Sequence, residues 1–477
     1  MYKAYVTKLT NIRPHSNADR LNLADVFGNT VCVPLDYTED MLGVYFPVDG
    51  QLSEEFCREN DLVRRKDEAG NDVGGYMDPE KRNVKAIRLR GEKSDGLFLP
   101  IKCLEYCFKD GDTDELEYGY VIEGSVNGHE ICQKYIPRSN KGDAYTAAKG
   151  NKARKKKVNC APLFVEHADT EQLAYNLNAF YCGDQIEISL KMHGTSQRTG
   201  YLPVLKGYKR TIWDKIFRRE GEPIYEYDYI CGTRRVVLDR LNQTEDGGFY
   251  GSNGFRAQHH QKFIGKLNKG ETVYYEVVGF TDTGTPIMGN GKNDKLGKDF
   301  VKQYGKETVF SYGCEPNKFV TNKVVRIDTI EEVEMINPIP QSDIYVYRMT
   351  MTNEDGFVVE YTPDFMRYRC EQMGVKCVPV FYKGYIPHDE AELGYVHDHD
   401  ECPIDAGAWV QMKAEEYYDG ADPIGKTHIR EGVVVRIINR PRFAAYKTKN
   451  FSFKVLEGLI KDDASAPDME EAQEVVE

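Results

Sequence analysis

Gln185-Ile186-Glu187-Ile188-Ser189-Leu190-Lys191-Met192-His193-Gly194-Thr195-Ser196 is the stretch on which the fold turns. Its first six residues form a short strand-like run, which places Lys191 at a strand end where Gly194 lets the chain turn. A lysine there is a candidate nucleophile. An amine attacks phosphorus only when unprotonated, so Lys191 needs cationic neighbours and partial desolvation to lower its pKa, together with donors that hold a phosphate. Strand-end lysines followed by a glycine turn are common, so Lys191 is informative only if the rest of the chain supplies those partners.

Three later stretches offer them. Cys231-Gly232-Thr233-Arg234-Arg235-Val236-Val237-Leu238 sets paired arginines at the head of an apolar run, and guanidinium forks match phosphate oxygens bidentately. Thr272-Val273-Tyr274-Tyr275-Glu276-Val277-Val278-Gly279-Phe280 embeds a carboxylate in a β-branched and aromatic strand, where burial is costly unless Glu276 binds something. Period-two alternation puts Tyr274, Glu276 and Val278 on one face, with Tyr275 and Val277 toward a core. Near the C-terminus, Glu431-Gly432-Val433-Val434-Val435-Arg436 and Ala444-Ala445-Tyr446-Lys447-Thr448-Lys449-Asn450 flank a loop containing Pro441. A hairpin would bring Glu431 beside Lys447 and Lys449, which at i and i+2 point the same way. Two lysines and a glutamate in one cleft suit a phosphate and a divalent metal, and they would lower the pKa of a third lysine. Between these stretches, Asp343-Ile344-Tyr345-Val346-Tyr347-Arg348-Met349 alternates aromatics that can stack on a base or fill a core.

The chain has 477 residues, which implies two or three domains, and its 63 Lys+Arg against 76 Asp+Glu leave a formal charge of −13. That balance argues against coating nucleic acid by bulk charge but leaves room for a locally basic groove. The twelve cysteines include no CxxC pair, so Cys103 and Cys107 read as ordinary thiols and the compartment as reducing. With no apolar run of membrane-spanning length and no signal-peptide core, the expectation is a soluble, cytoplasmic protein without a membrane partner.

Residues 1 to 105 read as short strands, Ala4 to Ile12, Leu21 to Val26, Thr30 to Pro34, Leu42 to Pro47, Val84 to Leu89 and Gly96 to Leu99, with a helical stretch near Ser53 to Asn60. Such a set suits a small OB-type barrel, on whose surface Lys85, Arg88 and Arg90 either grip phosphates or are simply solvated. From 106 to 160 the pattern weakens and includes the basic run Lys152 to Lys157, which reads as a linker. A helix is expected over Thr170 to Asn178. Val396-His397-Asp398-His399-Asp400-Glu401-Cys402 reads as a solvated acidic loop, and His259-His260 as surface residues. The segment 462–477 is an acidic tail.

In order and spacing, Lys191-Met192-His193-Gly194-Thr195, Glu276 with Gly279, Tyr347 in its strand, Glu431-Gly432 and Lys447-Thr448-Lys449 resemble the motif series of the covalent nucleotidyltransferases. The KxHGT form, with histidine where DNA ligases and capping enzymes usually have aspartate, is similar to ATP-dependent RNA ligases that repair nicks, in the branch with an N-terminal OB-fold domain. The resemblance implies an α+β chain: an OB-type β-barrel over 1–105, a linker or insertion over 106–160, and over 161–461 a nucleotidyltransferase (ATP-grasp-like ligase) domain of antiparallel sheets with flanking helices. It further implies that Lys191 becomes adenylylated from ATP with Mg²⁺ or Mn²⁺. His193 would assist the later sealing steps, and Gly194 and Thr195 would line the ATP site. Ser196, Arg234 and Arg235 would hold nucleic-acid phosphate, and Glu276 would contact the sugar or metal-bound water. Tyr347, with Tyr345 as second choice, would stack on adenine. Glu431 would bind the metal directly or through water, while Lys447 and Lys449 would hold the α-phosphate and activate Lys191. The implied partner is RNA or an RNA-containing nicked duplex.

This chain departs from the family pattern at three places: Ser196 stands where asparagine is frequent, Leu190 where an acid often precedes the lysine, and Tyr347-Arg348 where a Phe-Asp pair is expected. Rivals are an RNA-capping guanylyltransferase, which uses the same lysine chemistry with GTP, and a non-catalytic OB-fold RNA binder. Left open are the RNA itself, nick against free-end sealing, the insertions Lys206 to Tyr229 and Asn353 to Asp405, and the oligomeric state.

Overall fold

Lys191 closes one strand and Thr195 opens the next, and the two strands lie in different sheets. The computed structural model describes residues 2–67, 69–70, 72–136, 160–168, 170–217, 219, 221–234, 236–238, 254–316, 323–327, 330–334, 339–388 and 405–462. These form a mixed α+β fold of mostly antiparallel sheets in two compact units, one from the described parts of 1–139, 291–306 and 450–467, the other from those of 140–290 and 307–449.

In the second unit, a five-stranded sheet runs in the order Glu171–Gln172, Ala444–Lys449, Gly432–Ile437, Gln185–Lys191, Val380–Tyr385. Alternation along the lysine strand buries Ile186 and Ile188 with Val433, Val435 and Ile437 against Trp409, Val410 and Ala414 of the helix Ala406–Glu415. That helix starts where the Asp405 side chain accepts the Ala408 N–H at 3.0 Å. The opposite sheet face carries charge: Glu187 pairs in register with Arg436 and accepts two bonds from Arg367, at 3.0 and 2.8 Å.

The other large sheet orders Val237–Leu238, Glu222–Gly232, Thr195–Lys209, Glu271–Gly279, Ser342–Thr352 and Val358–Glu360, with Lys376–Cys377 added parallel to Ser342–Thr352. Glu271–Gly279 is buried along its whole length. The helix Gly254–Gln261 sends Phe255, Arg256 and His259 into the interior. His259 is therefore not a surface residue: it is buried and its Nε2 lies 2.8 Å from the Ser342 hydroxyl, because the helix turns this position inward.

The first unit contains the helix and the strands read from the sequence, except that the run Ala4 to Ile12 breaks at Leu9 into two strands of different sheets. Leu97–Pro100, Leu42–Phe46, Ala4–Lys8 and Val121–Ile122 form a four-stranded sheet, and Thr10–Pro14, Leu21–Val26 and Asn29–Pro34 a three-stranded one. The helix Glu54–Glu59 is capped by the Ser53 hydroxyl, which accepts the Phe56 N–H at 3.0 Å. Among the described residues these ladders remain separate sheets and do not close into one barrel. The helix Phe451–Asp462 belongs here: Lys454 pairs with Asp95 at 2.6 Å, and Arg88 and Lys93 lie 5.6 and 5.4 Å above the Phe451 ring.

Over Thr170 to Asn178 the expected helix is absent. Glu171–Gln172 is drawn into a parallel pairing with Tyr446 and Lys447, and only 3-10 turns, Leu173–Tyr175 and Leu177–Ala179, follow. Cys103 and Cys107 are buried free thiols. The basic run 152–157, the loop 396–402 and the segment 463–477 lie outside the described residues. Among the described residues no helix is long and apolar enough to cross a membrane.

Candidate active site

Gly432 pairs in register with Lys191 on one side and Lys449 on the other, so three strands converge beside Glu431. Glu431 Oε1 lies 2.6 Å from Lys191 Nζ and 3.3 Å from Lys449 Nζ, and its Oε2 lies 3.4 Å from His193 Nδ1. The Glu431 side chain is only 2% exposed. Burial alone would raise its pKa, but Lys191, Lys449 and His193 outweigh burial and hold it well below the usual carboxylate range. Gly432 is required at this point. Its φ is +155°, and a Cβ would stand 2.0 Å from the Thr448 carbonyl oxygen.

Lys447, two residues before Lys449, sits opposite Val434. Burial pushes its ammonium down, Lys191, Lys449 and Arg234 push the same way, and Glu431 only partly opposes them, so that it reaches about 8. A lysine poised near neutral pH can gain its proton as phosphate arrives.

The turn between the sheets is held by close contact. A Cβ on Gly194 would lie 2.4 Å from the Val277 carbonyl oxygen, so glycine is needed for close approach to the central strand. The His193 backbone N–H donates to the Tyr312 hydroxyl at 2.7 Å, and the His193 ring packs edge-on to Phe310 with centroids 4.5 Å apart. Behind them His428 packs against both Phe310 and Tyr312, with centroids 5.1 and 4.5 Å away. Burial pushes the Tyr312 hydroxyl well up, and the carboxylates of Asp422, Glu431 and Glu276 add to it.

Ser196, Glu276 and Tyr345 form one cross-strand row, and the Ser196 hydroxyl lies 2.8 Å from that of Tyr347. A bulge between Tyr274 and Tyr275 in the pairing with Ser342–Thr352 sets Tyr347 between the paired positions Val346 and Arg348, where its hydroxyl meets that of Ser196. Tyr345 is buried, with Lys376 Nζ 5.7 Å from its ring centroid.

No known protein family matches the chain by sequence profile, and no curated protein matches it. Solved structures do match. A Naegleria gruberi RNA ligase with a substituted lysine, holding AMP and Mn, superposes with a TM-score of 0.51 at 14% identity over 94% of this chain and 97% of that one. A second lysine variant of that enzyme with ATP and Mn has the same score and identity, over 94% and 98%. The chain has an RNA-ligase fold.

Within this ligase fold, Lys191, His193, Glu431, Lys447 and Lys449 meet at one point, and Arg234 stands near enough to act on Lys447. Ser196, Glu276, Tyr345 and Tyr347 lie on the adjoining sheet. Thr195 does not join them: it is turned to the opposite face, where its hydroxyl accepts from Arg256 Nη2 at 2.8 Å. Arg235 lies outside the described residues. Sequence reading missed Arg256, which also donates to the Ser196 carbonyl at 3.2 Å, and the Phe310, Tyr312 and His428 group behind His193. Arg256 follows Phe255 on a helix that a 3.6-residue period can find, but Phe310 and Tyr312 lie outside any regular element and leave no periodic signal.

Proposed function

We propose that this chain is an ATP-dependent RNA ligase that forms a lysyl-AMP at Lys191, passes the AMP to a 5′-phosphate end and joins that end to a 3′-hydroxyl, sealing nicked RNA. The observation that carries this reading is the meeting of Lys191, Lys449 and His193 on one buried carboxylate, Glu431, with Lys447 depressed beside them. Structures of the same fold that hold ATP or AMP with Mn support the choice of nucleotide.

Lys191 Nζ attacks the α-phosphorus in line and pyrophosphate leaves, while Lys447 and Lys449 offset the charge that develops on the phosphate oxygens. Glu431, held well below the usual carboxylate range, is a weak base, so it orients the Lys191 ammonium and does not take its proton. Among the described residues no group of three or more His, Cys, Asp or Glu gathers as a metal cage. The donors nevertheless fit Mg²⁺ or Mn²⁺, which take one or two carboxylates and complete their shell with water and phosphate oxygens. Glu431 Oε2 is buried with only the His193 Nδ1 contact at 3.4 Å and so has lone pairs to offer, and Glu276 is the second carboxylate. Such a cation supplies Lewis-acid stabilisation of the phosphate charge. Holding such a cation would draw Glu431 from Lys191, and the proton that Lys191 Nζ loses as the N–P bond forms would leave to water or to the departing pyrophosphate.

Tyr345 and Tyr347 are the aromatic candidates for adenine, Glu276 for its ribose, and Ser196 with Arg234 for the 5′-phosphate. The first unit, of OB type in this reading, holds the nucleic acid. Incubation with α-labelled ATP or GTP and Mg²⁺, wild type beside Lys191→Ala, tests the proposal on a denaturing gel. Label from ATP on the wild type alone is expected. Label from GTP would point to capping, and none from either, with no AMP already attached by intact mass, would refute nucleotidyl transfer.

A further inference from the structure

The strand that leaves the site runs well past its neighbour. Along Thr195–Lys209 the pairing with Glu271–Gly279 ends at Gly200, whereas the pairing with Glu222–Gly232 continues out to Lys209 opposite Glu222. The part from Tyr201 to Lys209 spans about 30 Å at 3.3 Å per residue. It ends in a short helix, Ile212–Ile216, begun by a reciprocal cap between Thr211 and Asp214.

This hairpin is sided. Tyr225, Tyr227 and Tyr229 alternate onto one face, where the Tyr201 and Tyr229 rings stack with centroids 4.5 Å apart at 16° and Tyr227 lies 5.7 Å from Tyr201. Lys269 Nζ stands 4.9 Å from the Tyr227 ring centroid, and Glu354 accepts from the Tyr227 hydroxyl at 3.4 Å. Glu226 and Asp228 alternate to the other face, where Asp228 is paired with Lys206. At the tip Ile212, Trp213, Ile216 and Phe217 are 75, 67, 61 and 60% exposed. Trp213 and Phe217 form a flat pair, 6.1 Å apart at 18°, with Arg219 5.6 Å from the Phe217 ring. Over 206–220 the sequence carries the cations Lys206, Lys209, Arg210, Lys215, Arg218 and Arg219 against the acids Asp214 and Glu220, in a chain whose net charge is −13.

Exposed rings with Lys269 and Arg219 beside them, and with the strand pairs Lys206–Asp228 and Lys209–Glu222 turned to the opposite face, complement a polyanion that carries flat apolar groups. We infer that this hairpin is a docking surface for an unpaired stretch of polynucleotide, whose bases stack on Trp213, Phe217 and Tyr225 while Arg210, Arg219 and Lys269 meet its phosphates. The inference deepens the ligase reading, on which it rests for the choice of RNA, by adding a contact far from Lys191 that would hold a strand near its end.

The chain has two tryptophans, and Trp409 is only 8% exposed in an apolar cluster, so Trp213 can report on its own surface. A 5′-phosphorylated single-stranded RNA of about 16 nucleotides, within the site sizes of single-strand binders, is titrated into wild type and Trp409→Phe, with fluorescence anisotropy of labelled RNA as a second readout. The expected result is quenched Trp213 emission with single-stranded RNA and little with the same sequence as a blunt duplex. Trp213→Ala, Phe217→Ala and Tyr225→Ala should each weaken binding about tenfold with self-adenylylation unchanged. Unchanged affinity in all three variants would overturn the inference. So would a wild-type dimer that Trp213→Ala converts to monomer, or loss of binding to anionic phospholipid vesicles with RNA affinity intact. Absence of self-adenylylation in the wild type counts against the ligase reading instead, and the titration still decides the hairpin.

Discussion

Replacing Lys447 with methionine should stabilise the fold at neutral pH while removing a cation from the site. Burial, with Lys191, Lys449 and Arg234, brings the Lys447 ammonium from 10.5 to about 8. At 1.36 kcal/mol per unit, the protonated folded state carries a penalty of about 3 kcal/mol at most. The direction follows from proton counting. Below pH 8 both folded and unfolded chains hold the proton and the whole penalty is present. Between 8 and 10.5 the folded chain releases its proton first, so wild-type stability rises with pH. Methionine keeps the length of the chain and none of the charge, so Lys447→Met should exceed wild type by about 2 to 3 kcal/mol at pH 7 and match it near pH 10.5. Urea denaturation of both proteins at pH 7, 8, 9 and 10 measures this, and the difference cancels the titrating groups that Lys447 does not touch, leaving Lys447 with the Lys191, Lys449 and Glu431 charges coupled to it. A gap that does not change with pH, or a variant less stable at pH 7, would refute the assignment of a depressed, buried ammonium to Lys447.

Four other outcomes are expected. Because bound phosphate favours the ammonium form, ATP binding at pH 8.5 should take up a substantial fraction of a proton through Lys447, read as a buffer-dependent heat in calorimetry, and Lys447→Met should abolish the uptake. Gly432→Ala forces a Cβ to within 2.0 Å of the Thr448 carbonyl and should part Glu431 from Lys449, costing about 2 kcal/mol or more and most of the self-adenylylation. Arg256→Met removes two buried bonds to Thr195 and Ser196 and should cost roughly 3 kcal/mol in thermal or urea melts. Burial pushes His428 down to about 3, so stability should be lost as pH falls below 6.5, where the unfolded histidine gains a proton and the folded one does not; His428→Phe should flatten the fall between pH 6.5 and 5 by up to about 2 kcal/mol.

Short-range order was legible where adjacent residues answer to one another. Leu21–Val26 has its expected ends, Asn29–Pro34, Leu42–Phe46, Ala86–Leu89 and Leu97–Pro100 start and stop within two residues of theirs, and the C-terminal hairpin pairs Val434 with Lys447, as the spacing of its two runs requires. Local patterns failed where a distant element competed. Glu171–Gln172 was captured as a strand by Tyr446 and Lys447, and His259 was drawn inward by its helix against Ser342. Gly194 stands in the bend between the two strands, as expected, but the need for glycine there comes from its close approach to Val277, which no residue beside it announces.

The candidate reactive groups, Lys191, His193, Glu276, Glu431, Lys447 and Lys449, were named from the sequence alone, because residue type, order and strand periodicity are local properties of the chain. Tertiary structure decided which of them share charge. Gly432 brings Lys191 and Lys449 to one carboxylate only because strands far apart in sequence pair on either side of it, and the depressed lysine is Lys447 because burial and three neighbouring cations act on it together. Tertiary structure also turned Thr195 away toward Arg256 and placed Tyr312 and Phe310 against His193. Desolvation and Coulomb interaction depend on distance in space, and pairing across the sheets, which spacing along the chain does not encode, sets that distance.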